Sequence, residues 1–68
     1  MAPERIKSLR QALSMTQQEF ASLLGVRFKS VISRLESGER LPLGPLLPLL
    51  LLLEADPQKN SRKLLSTG

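Results

Sequence analysis

Apolar residues recur along this chain at helical spacing, and strand-like alternation is missing throughout. Ile6, Leu9 and Leu13 fall at i, i+3 and i+7, which predicts a first helix over about 3–13. Pro3 suits its first turn, where a missing N–H costs nothing. After a short break at Ser14-Met15, Thr16-Gln17-Gln18-Glu19 reads as a capping box. In that motif the Thr16 hydroxyl caps the N–H of Glu19 while the Glu19 carboxylate reaches back. Met15 and Phe20 are spaced for the accompanying hydrophobic staple. The second helix then covers about 17–24, with Phe20, Leu23 and Leu24 inward and Gly25 as its left-handed stop.

A third helix is expected over about 28–37, ending at Gly38. Phe28, Ile32 and Leu35 lie at i, i+4 and i+7 and are expected inward, with Val31 on the flank. The opposite face carries Lys29, Ser30, Ser33 and Ser37, edged by Arg34. Short polar and basic side chains opposite an apolar stripe suit close approach to another molecule.

Gly44-Pro45 opens a fourth helix to about Glu54, with Leu46, Leu49, Leu50 and Leu53 as its inward stripe. Pro48, placed near the end of its first turn, is expected to cost one hydrogen bond. Asp56-Pro57 starts a short fifth helix, whose Leu64 and Leu65 are expected to dock while Ser66 to Gly68 fray. The run Leu41 to Leu53 has 13 residues and three prolines. A membrane span needs about 20 apolar residues, so the run reads as a loop followed by a buried helix. Met1 to Arg10 carries charges and lacks the apolar core of a signal peptide.

Composition narrows the chemistry. The 68 residues include no Cys, His, Trp or Tyr, which excludes disulfide scaffolds, Cys/His zinc sites, and thiol or imidazole catalysis. Glu36 as a catalytic acid has no partner acid, nucleophile or metal cluster. An enzyme is therefore not expected, nor is a metal or other cofactor. Two phenylalanines are too few for the aromatic platforms of single-strand or RNA-recognition modules. The net charge of +4 favours an anionic partner, and a chain this short makes one small domain over 1–68 that gains stability from association.

Two short helices joined by a glycine-containing turn, the second with a polar-basic outer face, form a helix-turn-helix pattern at about 16–38. Ala21, four residues before Gly25, is the small residue that permits a close crossing. The run Thr16-Gln17-Gln18-Glu19-Phe20-Ala21-Ser22-Leu23-Leu24-Gly25-Val26, followed by Ile32-Ser33-Arg34-Leu35-Glu36-Ser37-Gly38, resembles the lambda-repressor/Cro-type (Xre-family) helix-turn-helix. Its signature is (T/S)QxEFAxLLGV…SRxExG. The continuation Pro42-Leu43-Gly44-Pro45…Leu52-Leu53-Glu54-Ala55-Asp56-Pro57 is similar to the HigA/MqsA-like antitoxin branch. The resemblance covers about 5–57 and implies an all-α, five-helix lambda-repressor-like domain with leucine-rich C-terminal helices at about 45–65.

Three departures bear on the site. Gly25 to Glu36 is eleven steps where the family usually has ten. Placing Ile32, rather than Val31, in the first buried position keeps Arg34 out of the core. Arg27 stands where the family often has a capping Ser, and Leu35 replaces the usual aromatic.

The resemblance implies a transcriptional regulator, a repressor or an antitoxin-type autoregulator, binding a double-stranded DNA operator as a homodimer in the cytoplasm. Gln17 resembles the family's phosphate-contacting, helix-orienting glutamine. Lys29, Ser30 and Ser33 fall on the face that would read base edges. Arg34 and Arg40 would grip phosphates, and Arg27 and Gln18 either. Phe28 is expected in the core, with contact to a thymine methyl as the alternative. Arg10 and Glu36 are expected to form a structural pair. Leu47, Leu51 and Leu52 lie outside the inward stripe of the fourth helix and, with Leu64 and Leu65, suggest a homodimer interface. The other readings of that surplus are coverage by the fifth helix and a toxin-binding surface. The competing function is accordingly a protein-interaction module that neutralises a toxin, with weak or no DNA binding.

Overall fold

In the computed structural model, which describes residues 1–66, the chain forms five α-helices: α1 (Pro3–Ala12), α2 (Gln17–Leu24), α3 (Lys29–Ser37), α4 (Leu46–Ala55) and α5 (Pro57–Ser66). Among the described residues there is no strand, and the fold is all-α as expected. Pro3 occupies the first turn of α1, and α1 ends before Ser14, whose φ of 56° turns the chain in the left-handed region.

The start of α2 follows its sequence signal closely. The Glu19 N–H donates to Thr16 Oγ1 at 3.1 Å, and the Thr16 N–H donates to Glu19 Oε1 at 2.9 Å. Met15, just before the cap, packs on the core that buries Phe20. Gly25 closes the helix at φ 73°, a conformation that side chains with a Cβ adopt at a cost. The Val26 N–H then donates to the Ala21 carbonyl at 2.8 Å, fixing the turn.

Ile6 and Leu9 of α1, Phe20, Ala21 and Leu24 of α2, Ile32 and Leu35 of α3, and Leu50 and Leu53 of α4 form one buried cluster. Full burial of a large apolar side chain contributes about 1.5–3 kcal/mol, so these positions set the domain's stability. Both Ile32 and Leu35 are fully buried while Arg34 is exposed, the register in which Ile32 takes the first buried position. Gly38 ends α3 at φ 86°, and a Cβ there would lie 3.4 Å from Pro3 Cγ, so the end of α3 abuts the start of α1.

Four expectations need correction. Phe28 is not in the core: it is 61% exposed. Its backbone is extended (φ −123°, ψ 135°) as the cap residue before α3, so helical spacing to Ile32 does not apply to it. Pro48 forfeits no hydrogen bond. Because α4 starts at Leu46, Pro48 is its third residue, where N–H groups have no partner within the helix. The first i→i−4 bond of α4 comes from the next residue, Leu49 N–H to the Pro45 carbonyl at 3.3 Å. Leu65 does not dock but stays exposed, whereas Leu64 packs on the core. Finally, Ser66 belongs to α5; the expected fraying at Thr67 and Gly68 lies outside the described residues.

Asp56 caps α5 through a bond from the Lys59 N–H to Oδ1 at 3.3 Å. Polar side chains then pin α5 in place. The Gln58 side-chain amide donates to the Ala12 carbonyl at 3.2 Å, and buried Asn60 donates to the Leu52 carbonyl. Among the described residues no helix is long and apolar enough to cross a membrane.

Candidate nucleic-acid interface

One carboxylate sets the mutual placement of α1, α2 and α3. Glu36, near the end of α3, accepts from Arg10 Nε at 2.7 Å and from Arg10 Nη2 at 3.1 Å. This two-pronged pairing adds directional constraint to charge attraction. Arg10 Nη1 also donates to the Met15 carbonyl at 2.9 Å, which ties the chain ahead of α2 to the same guanidinium. Gln17 Nε2 donates to Glu36 Oε1 at 3.4 Å and so orients the first turn of α2 against α3. The Glu36 hydrogen bonds raise the Arg10 pKa above its ordinary value, keeping the guanidinium charged in spite of partial burial. Arg10 and Glu36 thus pair with each other inside the fold.

This hub leaves the other face of α3 open. Lys29, Ser30, Ser33 and Arg34 are all exposed, as are Arg27 and Phe28 just before the helix and Arg40 just after it. The two ion pairs among the described residues use Arg5 and Arg10, so the Arg27, Lys29, Arg34 and Arg40 charges carry no internal ion-pair partner there. Four cations around one short helix make a positive field directed outward. The loop after α3 is held by the Arg40 N–H donating to the Arg34 carbonyl at 3.2 Å, which keeps Arg40 at the end of the same helix. Ser37 Oγ donates to that same carbonyl at 3.1 Å, so this serine is engaged with backbone.

The start of α2 adds a second element. Gln18 is exposed there, and Gln17, half-buried, is turned toward Glu36. The Thr16 cap takes the Glu19 N–H, and hydrogen bonds from Thr16 hold the Glu19 carboxyl below its ordinary pKa. The basic and serine positions singled out from the sequence therefore lie on and around α3, with Gln17 and Gln18 at the adjoining end of α2.

The leucines are more scattered. Leu51 and Leu52 of α4 are 46% and 52% exposed, and Leu47 is half-buried. Leu64 packs on the core, while Leu65 lines a groove beside α2 with Met15, Ser22 and Leu23. Sequence reasoning missed exposed Leu41 and Leu43, which precede α4, and the Arg5–Glu54 ion pair linking α1 to α4. It also placed Phe28 in the wrong environment; the extra residue in the turn was the available signal.

A family model described as helix-turn-helix matches residues 6–51, from α1 into α4. No match was found among curated proteins or among solved structures. The matched span contains the Arg10–Glu36 hub, the glycine turn and the open basic face together. The chain belongs to the helix-turn-helix family of the lambda-repressor/Cro type, a family of DNA-binding regulators.

Proposed function

We propose that the protein is a sequence-specific double-stranded DNA-binding transcriptional regulator, a repressor or an antitoxin-type autoregulator, that acts as a homodimer. The observation that carries this reading is the exposed Lys29, Ser30, Ser33 and Arg34 face on a helix anchored by fully buried Ile32 and Leu35. Each protomer places α3 in a major groove, with half-sites about one helical turn, ~34 Å, apart. Lys29, Ser30 and Ser33 read base edges, and Arg34 and Arg40 neutralise phosphates. Arg27, Gln17 and Gln18 contribute at the margins, Gln17 mainly by orienting α2. Leu51 and Leu52, with Leu47, form the centre of the dimer contact; Leu64 and Leu65 belong to its edge. The Pro42-Leu43-Gly44-Pro45 segment and the Glu54-Ala55-Asp56-Pro57 segment favour the HigA/MqsA-like antitoxin branch. A cytoplasmic location follows from this role.

The second reading, a toxin-neutralising interaction module, is favoured by the same exposed Leu51 and Leu52 together with Leu41 and Leu43. Selection from a random duplex library, followed by salt titration of the recovered sequence, separates the two. The regulator reading expects a palindromic site whose affinity falls linearly on logarithmic axes as salt rises. Absence of duplex binding at ~50 mM salt, where phosphate contacts are strong, overturns it in favour of the interaction module.

A further inference from the structure

We infer that Phe28 is a specificity-determining residue whose ring packs against the C5-methyl group of a thymine in each half-site. The inference rests on the DNA-binding reading above. Of the two aromatic side chains, Phe20 is fully buried and Phe28 is 61% exposed. The core is complete without Phe28, because Ile32 and Leu35 supply the inward side of α3. Its extended backbone sets the ring at the N-terminal end of α3, and recognition helices of this kind present that end to base edges.

The surroundings select the partner. Arg27 and Lys29, on either side of Phe28, are exposed and have no ion pair among the described residues. A second protein surface would have to cover these cations along with the ring, whereas a duplex offers phosphates to both. Leu41 and Leu43 follow the C-terminal end of α3, whereas Phe28 caps its N-terminal end, and the helix between spans nine residues, about 13 Å. Within the major groove the apolar feature is the thymine methyl, which the other three bases lack. A phenyl ring held there by cations on both sides buries itself against that methyl and disfavours cytosine at the same place.

The test replaces thymine by deoxyuracil, one position per half-site at a time, in the duplex recovered by selection; this removes the methyl and nothing else. Wild-type protein is expected to lose about four-fold in affinity per half-site at one such position, the effect of one buried methyl-sized group. Phe28→Ala should bind the thymine and deoxyuracil duplexes alike, Phe28→Leu should keep part of the discrimination, and both should melt like wild type. Equal sensitivity of wild type and Phe28→Ala at every thymine overturns the inference while leaving the DNA-binding reading intact. Phe28→Ala losing stability along with affinity would also overturn it, since the ring would then have a folding role. Failure of wild type to bind any duplex overturns the DNA-binding reading and the inference with it.

Discussion

Among the described residues two ion pairs tie α1 to other helices, and their settings differ. Arg10–Glu36 reaches α3, with its side chains 15% and 7% exposed, and it is joined by Gln17 and the Met15 carbonyl. Arg5–Glu54 reaches α4, with side chains 52% and 31% exposed and no such supporting bonds among the described residues. The same chemistry therefore does different jobs. The first pair, together with Gln17 and the Met15 carbonyl, holds α1, α2 and α3 in one arrangement, so that a small rotation of α3 would move its exposed basic face. The second sits in water, where attraction is screened and side-chain ordering offsets most of it. The directional polar bonds are concentrated around α1, α2 and α3. The α4–α5 half is held by apolar burial and a few polar pins, and leaves leucines at the surface.

The sharpest way to break this contrast is in the core. Ile32→Ala should destabilise by about 3 kcal/mol, enough to prevent folding of so small a domain, measured by thermal or urea unfolding. Leu52→Ala should change monomer stability by less than about 0.5 kcal/mol while weakening self-association in sedimentation experiments. Next comes the pair itself. Glu36→Ala strands a partly buried guanidinium and should cost about 2 kcal/mol, with loss of duplex affinity beyond what unfolding explains. Glu54→Ala should melt close to wild type; equal losses for the two would erase the distinction drawn here. Thr16→Ala removes the α2 cap and should cost about 1 kcal/mol.

The smallest effect concerns pH. Folding lowers the pKa of Glu54 through Arg5 and of Glu19 through Thr16. Each therefore stabilises the fold above the ordinary carboxylate range, and that contribution is lost as pH falls through the lowered folded values. Melting temperature should drop on acidification in that window, and Glu19→Gln with Glu54→Gln should flatten the slope.

Where several local signals agreed, the sequence was legible. The capping box, the Gly25 turn and the Ile32/Leu35 register all rest on short-range chemistry, and the structure follows each. Phe28 stands one residue before α3 in an extended cap position, so helical spacing to Ile32 does not predict its direction. In α4 nearly every position is leucine, yet the helical spacing of Leu46, Leu49, Leu50 and Leu53 predicts the inward stripe, and the structure buries Leu50 and Leu53 while Leu51 and Leu52 stay exposed. Arg5 and Glu54 are 49 positions apart, and Asn60 is pinned across a helix boundary; neither contact has a sequence-local signature. The face of α3 is legible as a pattern, whereas its freedom from ion pairs among the described residues depends on long-range packing that the pattern does not encode.

In the proposed mode of action α3 reads DNA while the leucines of α4 do not touch it. The direct measurement is an amide chemical-shift map of isotopically labelled protein titrated with the duplex recovered by selection. The expected result is that Arg27 to Arg34, Arg40 and the Gln17–Gln18 turn shift most, with Leu51 and Leu52 unchanged beyond their response to dimerisation. Shifts centred on Leu51 and Leu52, with Lys29, Ser30 and Ser33 unmoved, would contradict the account.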